Sequence, residues 1–265
     1  LNELQSFVFE SLSIRGAIVR LDETWQQVVA QHHYPEPVER LLGDGVVATI
    51  LLASGLKGHP SISLQLQGDG PIRLLLVQCS GALEVRGMAQ WREDLSDEAL
   101  LGDGRGPRNG HTGNLGPKYQ GIVPLAGTTL DQCLEAYFDQ SEQLATRIYL
   151  RCHDSGVSGL LLQALPAADD ASDALETLAA LAATVTGEEL QRLDAETLLR
   201  RLFSGYTLRL FAPRAVAHDC RCTAEHLAGI VRMLGAAEVN DILDEQGKVE
   251  LTCEFCNRSF RYDEA

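Results

Sequence analysis

Four of the seven cysteines stand in the last fifth of the chain as Cys220-Arg-Cys222 and Cys253-Glu-Phe-Cys256, with thirty residues between the pairs. That spacing is how a tetrahedral thiolate site for zinc is written. In an extended segment residues i and i+2 point to the same side, so Cys220 and Cys222 can present both sulfurs to one ion. Cys253 and Cys256 can do the same from the tip of a tight turn. Zn²⁺ takes thiolates at about 2.3 Å and closes structural sites with four of them, leaving no open position for a substrate or an activated water. A metal held this way is a clamp and not a catalyst.

The surrounding sequence reads as a small module from residue 218 to 265. Thr223 caps a helix whose Leu227, Ile230, Val231 and Leu234 recur at helical spacing, ended by Gly235. A second short helix carries Val239, Ile242 and Leu243. Lys248 to Thr252 and Ser259 to Tyr262 pair as a hairpin with Cys253 to Cys256 at its turn. Such a core holds too few side chains to fold alone. Structural zinc contributes on the order of 10 to 16 kcal/mol of apparent binding energy, enough to supply the balance.

Ordinary buried thiols or two disulfides are the plainer reading of four cysteines, and the paired spacing argues against it. Between a permanently structural site and a redox switch the residues leave both open. Four thiolates held ionised at neutral pH are in the form that reacts with peroxide or hypochlorite. In an extended segment the Cα atoms of Cys220 and Cys222 lie near the limit of ~6.8 Å for a disulfide, so bridging them would bend the backbone. His218 and His226 flank the first pair, but four thiolates suffice without them. Cys133 and Cys79 read as packed core thiols. Cys152-His153-Asp154 is no nucleophilic relay, because consecutive strand residues point to opposite faces. Gly116-Pro117-Lys118 is no phosphate cradle, since proline interrupts the motif.

At 265 residues, 45% of them apolar, the chain can fill one sizeable core plus a smaller module. The net charge of −15 argues against nucleic acid, which needs a concentrated basic face. Val46 to Leu56, the longest apolar stretch, is far too short to span a bilayer. With no export signal and an odd number of cysteines, a reducing, cytoplasmic location is expected.

Residues 1–166 predict an α/β (α+β) core domain with a mixed or antiparallel sheet. Strand Ala17 to Leu21 precedes a short helix from Thr24 to Ala30 and a buried helix starting at Pro37, despite glycines at 43 and 45. Ser61 to Gln67 and Ile72 to Gln78 form a hairpin about Gly68-Asp69-Gly70, extended by Leu83 to Trp91. The glycine-rich stretch from Glu93 to Gly116 reads as a mobile hairpin loop. Strand Tyr119 to Leu125, a helix from Thr128 to Ser141, and strands Thr146 to His153 and Gly159 to Leu165 complete the domain. Residues 167–217 form a helical linker whose Leu175, Leu178, Ala182 and Val185, then Leu198, Leu199, Leu202 and Phe203, mark two amphipathic helices. No aromatic residue lies between Tyr149 and Phe203. Alanine forms helix readily but buries little area, so this segment is expected to be weakly anchored.

Together with the cysteines, several segments resemble the redox-regulated heat-shock protein 33 family, the 33 kDa chaperonins. They are Ile14-Arg-Gly16, His33-Tyr-Pro35, Leu64-Gln-Leu-Gln-Gly-Asp-Gly-Pro71, Tyr119-Gln-Gly121, Tyr137-Phe-Asp-Gln-Ser-Glu-Gln143 and Phe211-x-Pro213. The resemblance implies an ATP-independent holdase and no enzyme, inactive while Cys220, Cys222, Cys253 and Cys256 bind zinc. It implies that oxidation expels zinc, forms the disulfides Cys220–Cys222 and Cys253–Cys256, and loosens the linker, after which a homodimer holds unfolding client proteins. Asn257 follows the last cysteine where many such knuckles carry glycine, and asparagine tolerates the left-handed turn required. The competing readings are a thiol-disulfide oxidoreductase using Cys253 and Cys256, and a static zinc-knuckle adaptor.

Overall fold

The computed structural model describes residues 1–30, 32–56, 58, 61–67, 71–93, 95, 100–101, 112–115, 122–124, 128–153, 155–166 and 171–262. Two sheets enclose one helix. The first runs β10 (Leu208–Leu210), β1 (Asn2–Phe9), β2 (Ile14–Leu21), β9 (Gly156–Ala164), β8 (Thr146–His153), with β11 (Arg214–Ala215) also against β1, and every pairing is antiparallel. The second runs β12 (Ala217–His218), β5 (Glu84–Trp91), β4 (Ile72–Cys79), β3 (Ile62–Gln67), β6 (Thr112–Leu115), β7 (Ile122–Pro124), antiparallel except where β12 meets β5. This is the mixed α/β class that the sequence predicts.

Helix α2 (Glu36–Ala53) follows the short α1 (Glu23–Val29) and touches strands of both sheets. Pro37 starts it, and Val38, Leu42, Val46, Val47, Ile50 and Leu51 are buried all round its circumference. Gly43 and Gly45, costly in a helix by propensity alone, permit the close approach. A Cβ at Gly43 would stand 2.7 Å from Val157 of the first sheet, and one at Gly45 3.0 Å from Leu75 of the second. Arg15 fixes the end of the same helix, donating to Ser54 Oγ at 3.2 Å and to Gln163 Oε1 at 2.9 Å. Helix α3 (Leu130–Tyr137) runs into a π-helical turn over Phe138–Glu142, shorter as α-helix than predicted. Gln143 in the left-handed conformation (φ 53°) ends the turn, and Tyr137 Oη donates to Glu142 at 2.8 Å.

The opposite face of the first sheet carries α4 (Ala171–Ala182), α5 (Gly187–Arg192) and α6 (Ala195–Leu202). Leu175, Leu178, Ala182, Leu190, Leu198 and Leu199 are buried there against Phe7, Phe9, Ile18, Leu160 and Leu162. The weak anchoring expected of this segment is therefore corrected for its apolar helices. The sheet supplies the large side chains that alanine-rich helices lack. The expected helical span to residue 217 is also shortened. Beyond Leu202 the chain forms β10, β11 and β12, because Leu208-Arg-Leu210 adds to the edge of β1 and Pro213 excludes helix.

Strand β1 has no counterpart in the sequence reading. Leu4 joins the core cluster between the sheets while Phe7 and Phe9 join the one beneath the linker helices, and buried Gln5 interrupts the apolar alternation. The Gly68-Asp69-Gly70 turn and most of the glycine-rich stretch lie outside the described residues, although Thr112–Leu115 within that stretch is a strand. Of the segment from Tyr119 to Leu125, Ile122–Pro124 is described, as β7. Among the described residues no helix is long and apolar enough to cross a membrane.

Gly43→Val is expected to lower stability by about 2 kcal/mol through overpacking against Val157, measured as a shift in denaturant midpoint. Asp44, on α2, has its carboxyl pushed up to about 7 by burial, with Asp131 adding to the effect and Arg151 and Arg40 opposing it. A folded-state value above the unfolded one gives stability that is complete below the ordinary carboxylate range and lost as pH rises through about 7. Asp44→Asn is expected to remove that loss, so unfolding midpoints at pH 5 and pH 8 should differ less than in the parent.

Candidate metal centre

The two ligand loops are positioned by different means. Ala217 and His218 pair in parallel with Glu84 and Val85 of β5, so Cys220 and Cys222 leave directly from the edge of the second sheet. Thr223 Oγ1 accepts the His226 amide at 3.1 Å and starts α7 (Ala224–Leu234). Gly235 (φ 88°) turns the chain into α8 (Ala236–Gln246), and Gly247 in the left-handed conformation ends it. The hairpin β13 (Val249–Thr252) and β14 (Ser259–Tyr262) then brings the second loop back. At its tip the Asn257 amide donates to Cys253 O at 2.7 Å and the Cys253 amide to Arg258 O at 2.9 Å. Asn257 adopts the left-handed conformation (φ 52°), as its side chain allows.

These loops bring the four predicted cysteines together. Cys220 Sγ lies 3.4 Å from Cys222 Sγ and 3.6 Å from Cys253 Sγ, and Cys222 Sγ lies 3.2 Å from Cys256 Sγ. All four ligand atoms fall within 4.8 Å of one another. Four sulfurs at about 2.3 Å from a common centre stand ~3.8 Å apart in a tetrahedron, so the cluster fits a metal ion with little movement. Neither His218 nor His226 belongs to the cluster.

The electrostatics of the sulfurs differ. Burial pushes the Cys222 thiol up, and the neighbouring sulfurs add to this. Burial also raises Cys220, with the Cys222 side chain and backbone opposing. Cys253 feels burial too, but backbone hydrogen bonds from Cys256 and Phe255 outweigh it and hold the thiol below its ordinary value. Amides aimed at a sulfur are what a thiolate needs once its charge is no longer shared with a proton.

The remaining cysteines stand apart. Cys79 and Cys133 are buried, and burial pushes the Cys79 thiol up to about 12, an inert state. Cys152 packs on the α2 side of the first sheet, whereas His153 abuts Gly187 on the linker side, so the two are no dyad. Asp154 lies outside the described residues.

Among the described residues of the module, Leu227 and the sulfur-bearing Cys222 and Cys253 form a buried cluster, flanked by half-buried Leu251, Phe255, Phe260 and Tyr262, with Val249 buried beside the hairpin. The predicted stripe on α7 is corrected here. Ile230 is 43% exposed, Leu234 41% and the intervening Met233 86%, so among the described residues that side of the helix is left uncovered. Contacts to the core were not legible in the sequence. Arg221, between the first two cysteines, pairs with Glu84 at 3.1 Å. The Arg86 guanidinium stacks 4.2 Å over the Phe255 ring, and His32 Nε2 lies 3.3 Å from Phe255 O. The only available signal was an arginine and a phenylalanine placed inside ligand loops.

Comparison with known proteins agrees with this geometry. A family model described as Hsp33 protein matches residues 2–263. The 33 kDa chaperonin of Vibrio cholerae serotype O1 is 40% identical over 273 residues, covering 100% of this chain and 93% of the relative. That of Shewanella sediminis is 41% identical over 267 residues, covering 99% and 93%. The crystal structure of the 33 kDa chaperonin from Thermotoga maritima superposes with a TM-score of 0.79 over 99% of this chain and 95% of that one, at 20% identity, which bears on the fold. A match over nearly every residue, with four sulfurs gathered where the sequence predicts them, means that the chain belongs to the Hsp33 protein family.

Proposed function

We propose that this protein is a redox-regulated, ATP-independent chaperone, a cytoplasmic holdase that binds unfolding proteins under oxidative stress. The observation that carries this reading is the gathering of four cysteine sulfurs from two distant loops into one site. Family membership supplies the chaperone class. Cys220, Cys222, Cys253 and Cys256 are the proposed ligands of one Zn²⁺ per chain, because an all-thiolate tetrahedral set selects zinc or iron–sulfur and this cluster suits a single ion. When bound, the ion supplies a structural cross-link and no open coordination position, which favours holding over catalysis.

The reduced module stands on a three-residue buried cluster, so the cross-link replaces a missing core. Two thiolates of a pair give two electrons to hydrogen peroxide, which takes two protons and leaves as water while a sulfur–sulfur bond forms. We assign these bonds to Cys220–Cys222 and Cys253–Cys256. Each leaves a sulfur pair unable to serve as two thiolate ligands. The division that fits this mechanism is a core to residue 166, a linker over 167–217 and a metal module from 218. A linker released from the first sheet bares the leucine faces of α4 and α6 and the sheet's own Phe7 and Phe9, an apolar surface suited to unfolded segments and to a second copy.

Peroxide treatment under mildly unfolding conditions is expected to consume four thiols per chain, free one equivalent of zinc and switch on suppression of aggregation by a thermally unfolding client. Equal suppression by the reduced, zinc-loaded protein would sink the reading. Cys220→Ser is expected to weaken zinc binding by more than the roughly 10- to 100-fold that loss of an outer-shell partner costs. An oxidoreductase working through Cys253 and Cys256 would instead keep turnover with a dithiol donor in that variant, and a dithiol oxidation assay separates the two.

A further inference from the structure

The sheet face beneath the linker helices changes character along its strands. One row across the sheet reads Phe7, Gly16, Leu162 and, at its edge, Arg147, and the next reads Gln5, Ile18, Leu160, Tyr149, but the row after that is Glu3, Arg20, Ser158, Arg151. The apolar rows carry α4 and α6. The polar row lies under α5, whose Leu190 carbonyl accepts Arg20 Nε at 2.8 Å and whose Gln191 amide donates to Asp22.

This contact is poorly paired. Arg20 is 1% exposed and Ser158 fully buried. Among the described residues, Arg20 Nη1 and Nη2, His153 Nε2, Ser158 Oγ and Gln191 Oε1 are the buried side-chain polar atoms with no hydrogen-bond partner in the protein. All five belong to residues of α5 or of the strands facing it, His153 meeting Gly187 in the first turn. The nearest carboxylate to the guanidinium, Glu3, is 3.6 Å from Nη1, a long ion pair, and Asp194 and Asp22 attract it from farther off without offsetting its burial. A buried charge with one good hydrogen bond regains hydration when its cover lifts, so seating α5 here carries a cost that the apolar rows do not impose. The helix itself is well made, with a Thr186–Glu189 capping box and Glu189 bonded to Arg201 at 2.9 Å. Its seat is the weak part.

We infer that this under-paired polar seam makes α5 the first linker helix to leave the sheet, so that Arg20 and Ser158 set the threshold at which disruption of the metal module is passed to the linker. The inference rests on the holdase reading for its consequence, but its physical content is separate.

The test is amide exchange in the full-length, reduced, zinc-loaded protein carrying Arg20→Met. Exchange over residues 187–192 is expected to slow by about tenfold, with α4 unchanged, and client holding after peroxide should begin later while thiol loss keeps its rate. Exchange over 187–192 that is faster than in the parent, or unchanged, overturns the inference. Ser158→Ala removes one unpaired hydroxyl without touching the charge. It is expected to act in the same direction by less, and it decides the matter should Arg20→Met not fold. Failure of the exchange result leaves the holdase reading standing, whereas an oxidised parent that holds no client overturns that reading alone.

Discussion

Four sulfur atoms from two loops thirty residues apart meet within 4.8 Å, and the terminal module has little else to hold it. Its buried cluster contains one leucine and two of the four cysteines themselves. Helix α7 turns Ile230, Met233 and Leu234 outward, and the apolar side chains of α8, Val239, Ile242 and Leu243, are only half-buried. On the proposed reading the four sulfurs stand in for a core, so converting them to disulfides would remove the restraint that joins the two loops.

The module is wired to the rest of the molecule by residues within the ligand loops. Arg221 reaches Glu84 and Phe255 receives Arg86, two positions apart on the same strand β5. The segment leading to the first cysteine is itself paired with that strand. A change in backbone shape at Cys220–Cys222 therefore acts at once on the edge of the second sheet and on the short strands that end the linker. The apolar helices of the linker are well seated, so susceptibility to release is concentrated where charge is buried, not where alanine is frequent.

The gathering of the four cysteines was almost wholly legible in the sequence, because paired cysteine spacing, a Thr cap, a Gly stop and an Asn at the turn are local signals with local physical causes. A buried stripe on α2 was legible as well, but its burial on both sides, and its glycines, became intelligible only once Val157 and Leu75 were seen against them. What escaped was non-local. Strand β1 hides its apolar residues on two faces, and the packing of the linker depends on Phe7, Phe9, Leu160 and Leu162, contributed from both ends of the core domain. Arg20 read as an ordinary strand residue and Ser158 stood just before the strand predicted from Gly159, until register placed them in one row.

The linker leaves the first sheet after Ala164 of β9 and returns to it at Leu208 of β10, which is zipped to β1. Helices that peel off between those points remain a closed loop with both feet on their own platform. Their return then needs no long-range search. The closure entropy of a loop grows only with the logarithm of its length, so repacking can follow reduction as a local event. An anchored loop of this design favours a device that resets over one that is spent after a single use.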